Sequence, residues 1–186
     1  ENARIHTVNI GQLNVLRCLA ASGAGGVLVW ADTRAIVGPV SVQDTHVKSC
    51  NSSSAGGIVV ASEYDGFFRG DVVFQGLLVE NCHAQNSPWY SGQNFPDSRL
   101  GQEGKLSPEN GGLRISGTIV GDVQVSDAVI QKCSAMSIDG RGGGILIGEI
   151  KKQPFRISEI EWTHSPSLMQ NLRLRRVLVQ DCAAYI

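Results

Sequence analysis

Residues 121–133 read GDVQVSDAVIQKC, and this thirteen-residue pattern organises the chain. It recurs at residues 38–50 (GPVSVQDTHVKSC) and 70–82 (GDVVFQGLLVENC), with looser copies at 6–18 (HTVNIGQLNVLRC) and 170–182 (QNLRLRRVLVQDC). Every copy has apolar residues at its third, fifth and tenth positions and a cysteine at its thirteenth. Between the copies stands a glycine pair followed by a short apolar run. It reads Gly25-Gly26-Val27-Leu28-Val29, Gly56-Gly57-Ile58-Val59-Val60, Gly111-Gly112-Leu113-Arg114-Ile115 and Gly143-Gly144-Ile145-Leu146-Ile147. A fixed period of this size is the signature of a repeat architecture.

The blocks start at 6, 38, 70, 121 and 170, so the steps are 32, 32, 51 and 49. The basic unit is therefore 32 residues, and two units carry insertions of 19 and 17. The inserted loops span residues 85–110 and 151–169, the first rich in Pro, Gly and Ser. Within a block the apolar residues are spaced by two inside each pair and by three between pairs. That spacing predicts two short strands joined by a bend rather than a helix face. With the strand after the glycine pair, each unit is expected to hold three short strands and three corners.

Three-strand units that stack on identical neighbours define an all-β fold, a right-handed parallel β-helix (solenoid) of about 4–5 coils. Equivalent residues then stack roughly 4.8 Å apart, which places Val8, Val40, Val72, Val123 and Leu172 in one core ladder. An antiparallel sandwich accommodates short strands but gives no reason for the 32-residue identity. An end coil offers unpaired strand edges, which implies flanking coils or a neighbouring subunit. Residues 1–186 read as one domain, with both ends taken as cuts in a longer polypeptide.

Composition agrees and narrows the function classes. Only 18% of residues are charged and 22 are glycine, a balance typical of short strands and tight turns. Lys plus Arg is 16 and Asp plus Glu is 17, a net charge of -1 without long charge runs. This argues against a nucleic-acid partner. No apolar stretch approaches the ~20 residues of a transmembrane helix.

The tripeptides Cys18-Leu19-Ala20, Cys82-His83-Ala84 and Cys133-Ser134-Ala135, with the Gly-Gly-apolar runs, carry a family resemblance. They resemble the repeats of polymorphic outer membrane proteins, within the wider pectin-lyase-like β-helix group. Similar cysteine-bearing repeats look like those of large surface proteins of unicellular algae, including dinoflagellates. This chain has Cys where that family has Asn, and Val, Leu or Ile after the glycines where it has Ala. The resemblance implies a fold more than a function.

Chemical motifs are sparse. The five cysteines share one repeat position and read as a buried ladder of thiols; parallel side chains on adjacent coils are poorly disposed for a disulfide, and no zinc spacing is present. Arg69-Gly70-Asp71 is an adhesion tripeptide by letter, but Gly-Asp recurs at Gly121-Asp122 as part of the repeat. Asn51-Ser52-Ser53 is a formal glycosylation acceptor at a turn. Asp139-Gly140-Arg141-Gly142-Gly143-Gly144 lacks the repetition of a calcium nonapeptide and the Lys of a phosphate loop. Carbohydrate-active β-helices need carboxylates converging on one face, and the outward columns gather none. No catalytic, cofactor-binding or metal-binding residue is assigned, and no cofactor is expected.

Two outward columns are apolar instead: Leu28, Val59, Arg114, Leu146, and Asn14, His46, Leu78, Val129, Leu178. Such columns form a patch that calls for a cover, either the insertions or a partner. Leu28, Val59 and Leu146, with Trp89, Tyr90 and Phe95 of the first insertion, are the candidate interaction surface. The expected function is a non-enzymatic structural or adhesive scaffold, part of a large extracellular or cell-surface repeat protein, or a subunit of a larger assembly. Its partners would be other coils, other subunits or glycans. The alternative is a polysaccharide lyase or glycoside hydrolase that uses Asp44, His46 and Asp71 or coils outside this chain.

Overall fold

The computed structural model describes residues 3–20, 24–52, 55–62, 65–85, 110–136, 142–148 and 169–185. Every regular element among them is a β-strand. The first repeat gives β1 (Arg4–Ile5), β2 (Val8–Gly11), β3 (Asn14–Leu16), β4 (Leu19–Ala20) and β5 (Val27–Ala31). The second gives β6 (Ile36–Val37), β7 (Val40–Gln43), β8 (His46–Lys48), β9 (Asn51–Ser52) and β10 (Ile58–Ser62). The third gives β11 (Phe67–Arg69), β12 (Val72–Gln75), β13 (Leu78–Glu80), β14 (His83–Gln85) and β15 (Leu113–Ser116). The fourth gives β16 (Ile119–Gln131), β17 (Ser134–Met136) and β18 (Ile145–Ile147), and the last β19 (Met169–Gln180) and β20 (Ala183–Tyr185). A full repeat thus holds five short strands where three were expected. Two-residue strands such as β6 and β9 are too short to leave an alternation in the sequence.

All pairing is parallel and, apart from Gly121 with Met169 at a register shift, joins equivalent positions of successive repeats. Val8 pairs with Val40, Val40 with Val72, Val72 with Val123, and Val123 with Leu172, the column expected from the sequence. Three sheets result: eleven strands built on the thirteen-residue blocks and the short strands preceding them, the four strands β18-β15-β10-β5, and the five strands β20-β17-β14-β9-β4. One hydrophobic cluster fills the space they share, from Val27 and Val37 through Phe68 and Phe74 to Ile130 and Cys133.

Two features of the backbone explain the block. Its seventh position is Gln12, Asp44, Gly76, Asp127 or Arg176, and its twelfth is Arg17, Ser49, Asn81, Lys132 or Asp181; all ten have positive φ. A single left-handed residue turns the chain sharply without withdrawing its N–H from the ladder. The Asp44 N–H donates to the Gln75 carbonyl at 2.9 Å, Ser49 to Glu80 at 2.9 Å and Asn81 to Gln131 at 3.0 Å. The corners therefore stack as strands do, and few backbone groups are orphaned.

The glycine pairs answer a different constraint, the close approach of two sheets. A methyl group on Gly26 would collide with the Val47 side chain, and one on Gly57 with the Gly112 carbonyl. One on Gly112 would meet the Gly144 carbonyl and Ile130. The same atoms are crowded repeat after repeat, so the pair recurs with the period of the chain.

Candidate functional site

The outer face of β5, β10, β15 and β18 carries the column Leu28, Val59, Arg114, Leu146, in register by pairing. The expectation that it is exposed holds at one end only. Leu28 is 47% exposed, but Val59 is 2% exposed, Arg114 is also buried, and Leu146 is half-buried. Val59 forms a second small cluster with Ala55 and Ala61, against which Ala24 and Trp30 pack. Trp30 lies beside Ala61 in the ladder. Periodicity identified the face; it could not show that the chain itself covers it. Val59 is thus an interior residue. Trp89, Tyr90 and Phe95 lie outside the described residues.

Asn51 sits in β9, not at a turn, with its N–H donated to the Cys18 carbonyl at 2.8 Å. Its side-chain Oδ1 is buried without a hydrogen-bond partner, and Ser52 is buried beside it.

Asp44, His46 and Asp71 are not brought together. Asp44 occupies an exposed corner. His46 Nε2 lies 4.0 Å from Glu80 Oε2, and Lys48 Nζ lies 3.0 Å from the same oxygen. The hydrogen bond from Lys48 holds the Glu80 carboxyl below its ordinary pKa. Asp71 accepts the Asp122 N–H at 3.0 Å; Asp122 in turn meets Arg173 at 3.4 Å and Asn171 at 2.8 Å. Asp127 is bound by Arg176, whose hydrogen bond lowers its pKa. Glu80, Asp71, Asp122 and Asp127 are each partnered along the stack, to a residue one repeat away, and such pairing holds register.

One side-chain chain was not anticipated. Asn81 Nδ2 donates to Ser49 Oγ at 3.2 Å, and Asn81 Oδ1 faces His83 Nε2 at 3.1 Å. His83 Nδ1 lies 2.8 Å from Ser134 Oγ. With the Asn81 amide oriented by Ser49, Nε2–H donates to Asn81 and Nδ1 accepts from the Ser134 hydroxyl. Burial lowers the His83 pKa and favours this neutral form. The order Ser–His–Asn is that of a nucleophile, base and orienting amide. Catalysis also needs free donors for a developing oxyanion. Here the Ser134 N–H is spent on the Cys82 carbonyl and the His83 N–H on the Cys50 carbonyl. The chain satisfies polar groups on the outside of a sheet. It would have been found by aligning the twelfth block position and the residue after each cysteine across repeats.

The cysteines form the expected column, and all five are free thiols. Cys50, Cys82 and Cys133 are fully buried; Cys18 and Cys182, at the ends, are half-buried. Each inner thiol points at carbonyls, as Cys82 Sγ does at Glu80 O (3.4 Å) and at Val47 O of the preceding repeat (3.7 Å). Burial raises the Cys50 pKa; Cys82 is raised first by its contact with the Cys133 thiol and then by burial. The same contact lowers the Cys133 pKa, so among the inner thiols the inert, protonated state is set first by burial only at Cys50. Among the described residues no group of three His, Cys, Asp or Glu side chains is placed to hold a metal ion.

No protein-family model matches the chain, and no curated protein or solved structure matches it either. No helix among the described residues is long and apolar enough to cross a membrane.

Proposed function

We propose that the chain folds as a right-handed parallel β-helix and acts as a non-enzymatic structural or adhesive module of a large surface or extracellular repeat protein. In this reading it belongs with the polymorphic outer membrane protein and pectin-lyase-like repeats. The observation that carries the reading is the parallel register of equivalent residues through successive repeats, in which outward polar groups among the described residues pair along the stack. A rigid rod of this kind presents its outer faces and the inserted loops at residues 85–110 and 151–169 to proteins or glycans. Rigidity follows from mutual support: each repeat buries its apolar face only against its neighbours.

The test is to incubate the purified chain with a panel of acidic and neutral polysaccharides and read both retention and newly formed chain ends. The scaffold reading expects no new ends beyond a heat-denatured control, with or without retention. Turnover that disappears in Asp71→Asn or His46→Ala would overturn it in favour of glycan cleavage.

A further inference from the structure

The five thiols form a column through the interior, and backbone and side chains both keep it in register. Asn51 N–H donates to the Cys18 carbonyl at 2.8 Å, His83 to Cys50 at 3.0 Å, Ser134 to Cys82 at 3.1 Å and Ala183 to Cys133 at 3.0 Å. The side chains share one pose. Each thiol points at the carbonyl two residues before it, from 3.2 Å at Cys133 and Cys182 to 3.6 Å at Cys18. Cys50, Cys82 and Cys133 also lie 3.7, 3.7 and 3.8 Å from the Val15, Val47 and Val79 carbonyls of the preceding repeat.

Side chains in one pose on a ladder repeat its spacing, roughly 4.8 Å. A metal–thiolate bond is about 2.3 Å long, so an ion midway between two stacked sulfurs needs about 4.6 Å. Two ligands in line suit a soft monovalent ion that accepts linear coordination, and thiolates select Cu(I). The column offers neighbouring pairs, not the four ligands that zinc takes. Cys82 and Cys133 make the best enclosed pair, since both are fully buried in the apolar cluster. A hydrogen bond between them raises the Cys82 pKa and lowers that of Cys133, which makes Cys133 the sulfur that releases a proton.

We propose that the thiol column binds Cu(I), or an ion of the same soft monovalent class, in line between neighbouring cysteines, Cys82 and Cys133 forming one such pair. Charge balances within the site. The ion brings one positive charge, the Cys133 proton leaves to solvent, and Cys82 keeps its proton and binds through a sulfur lone pair. The carbonyls that had accepted S–H then face the ion. Entry needs a local opening, which stacked repeats permit one unit at a time. The site needs only register between adjacent repeats, whatever the outer faces do.

A sulfur serving two ions would hold two cations roughly 4.8 Å apart in an apolar interior, so each sulfur serves one. Five thiols in a row then hold two ions, with one sulfur left over. Which thiol is removed decides the count. Without Cys82 two couples remain, Cys18 with Cys50 and Cys133 with Cys182, and two ions still bind. Without Cys50 the Cys18 thiol is isolated and the other three hold one ion. Loss of Cys133 isolates Cys182 in the same way.

The test is anaerobic titration of the reduced, folded chain with Cu(I) against a chromogenic Cu(I) chelator. Bound ions are counted by native mass spectrometry, and the β-structure is followed by circular dichroism. Two ions are expected for the wild type and for Cys82→Ala, and one for Cys50→Ala and for Cys133→Ala, with the dichroism unchanged. A count that falls equally in all three variants overturns the proposal, because order along the column would then be irrelevant. So does uptake that comes only with loss of the β signal. Where a variant does not fold, the wild type alone decides: any count other than two overturns the pairing.

Discussion

A left-handed backbone conformation costs an ordinary residue roughly 1–2 kcal/mol, yet nine non-glycine block residues adopt it at the two recurring corners. The cost is tolerated because the corner N–H stays in the ladder, as with Lys132 donating to Gln180 at 3.1 Å. Replacing Lys132 by glycine removes that strain but adds unfolded-state entropy of about 0.5–1 kcal/mol. Lys132→Gly is therefore expected to stabilise by about 0.5 kcal/mol, read from the urea midpoint. Gly57→Ala should do the reverse by about 2–3 kcal/mol, since the added methyl meets backbone and cannot be relieved by a side-chain rotation. The thiols give a pH dependence. Cys50 has a raised pKa when folded, set first by burial. Its contribution is thus fully present below the unfolded thiol value of about 8.5 and is lost as pH rises above it. Urea midpoints from pH 7 to 10 should fall in the wild type and fall less in Cys50→Ala. At this scale the glycine pairs and the cysteine column were legible in the sequence. Their crowding partners were not, because Val47 and Gly26 meet only across the interior.

Strands in this chain are held along the stack, and their polar side chains follow the same direction. Asp127 and Arg176 show it: Arg176 is exposed and Asp127 half-buried, and their pairing depresses the carboxyl pKa through a hydrogen bond. Arg176→Ala should bring the Asp127 titration, followed by carboxyl NMR, back up toward the ordinary range while leaving the fold unchanged. An unmoved titration would show that the pair does not form in solution. Thr45 is the polar member of an otherwise apolar column that contains Leu77 and Ala128. Its hydroxyl donates to the Gln43 carbonyl at 2.9 Å, which already receives the Gln12 N–H at 3.2 Å. Thr45→Val therefore leaves no carbonyl unsatisfied and should change stability by no more than about 0.5 kcal/mol in either direction. Register at this scale could be read directly, since the 32-residue step fixes which valine lies over which. Strand number could not, because β6 and β9 hold two residues each. Nor could burial of the outward column, since alternation assigns Val59 to a face but tertiary packing decides whether that face is open.

The whole molecule has the energetics of a one-dimensional array, in which each repeat is stabilised by the neighbour on either side. Middle repeats have two such interfaces, and the inward residues of β7, β12 and the block portion of β16 are sealed: Val42, Phe74 and Val125 are all fully buried. The terminal repeats have one interface each, and their inward residues, from Ile10 to Leu174, are partly open to water. Local opening should follow that asymmetry, because the free energy to expose an amide scales with the apolar surface its unit keeps from solvent. Native-state hydrogen exchange at low protein concentration is expected to grade protection symmetrically. The amides of β7, β12 and β16 should exchange only on global unfolding, and those of β2, β3 and β19 earlier by fraying. Protection that is flat along the chain at low concentration would mean the repeats unfold as one unit, and nearest-neighbour support would then be the wrong description of this fold.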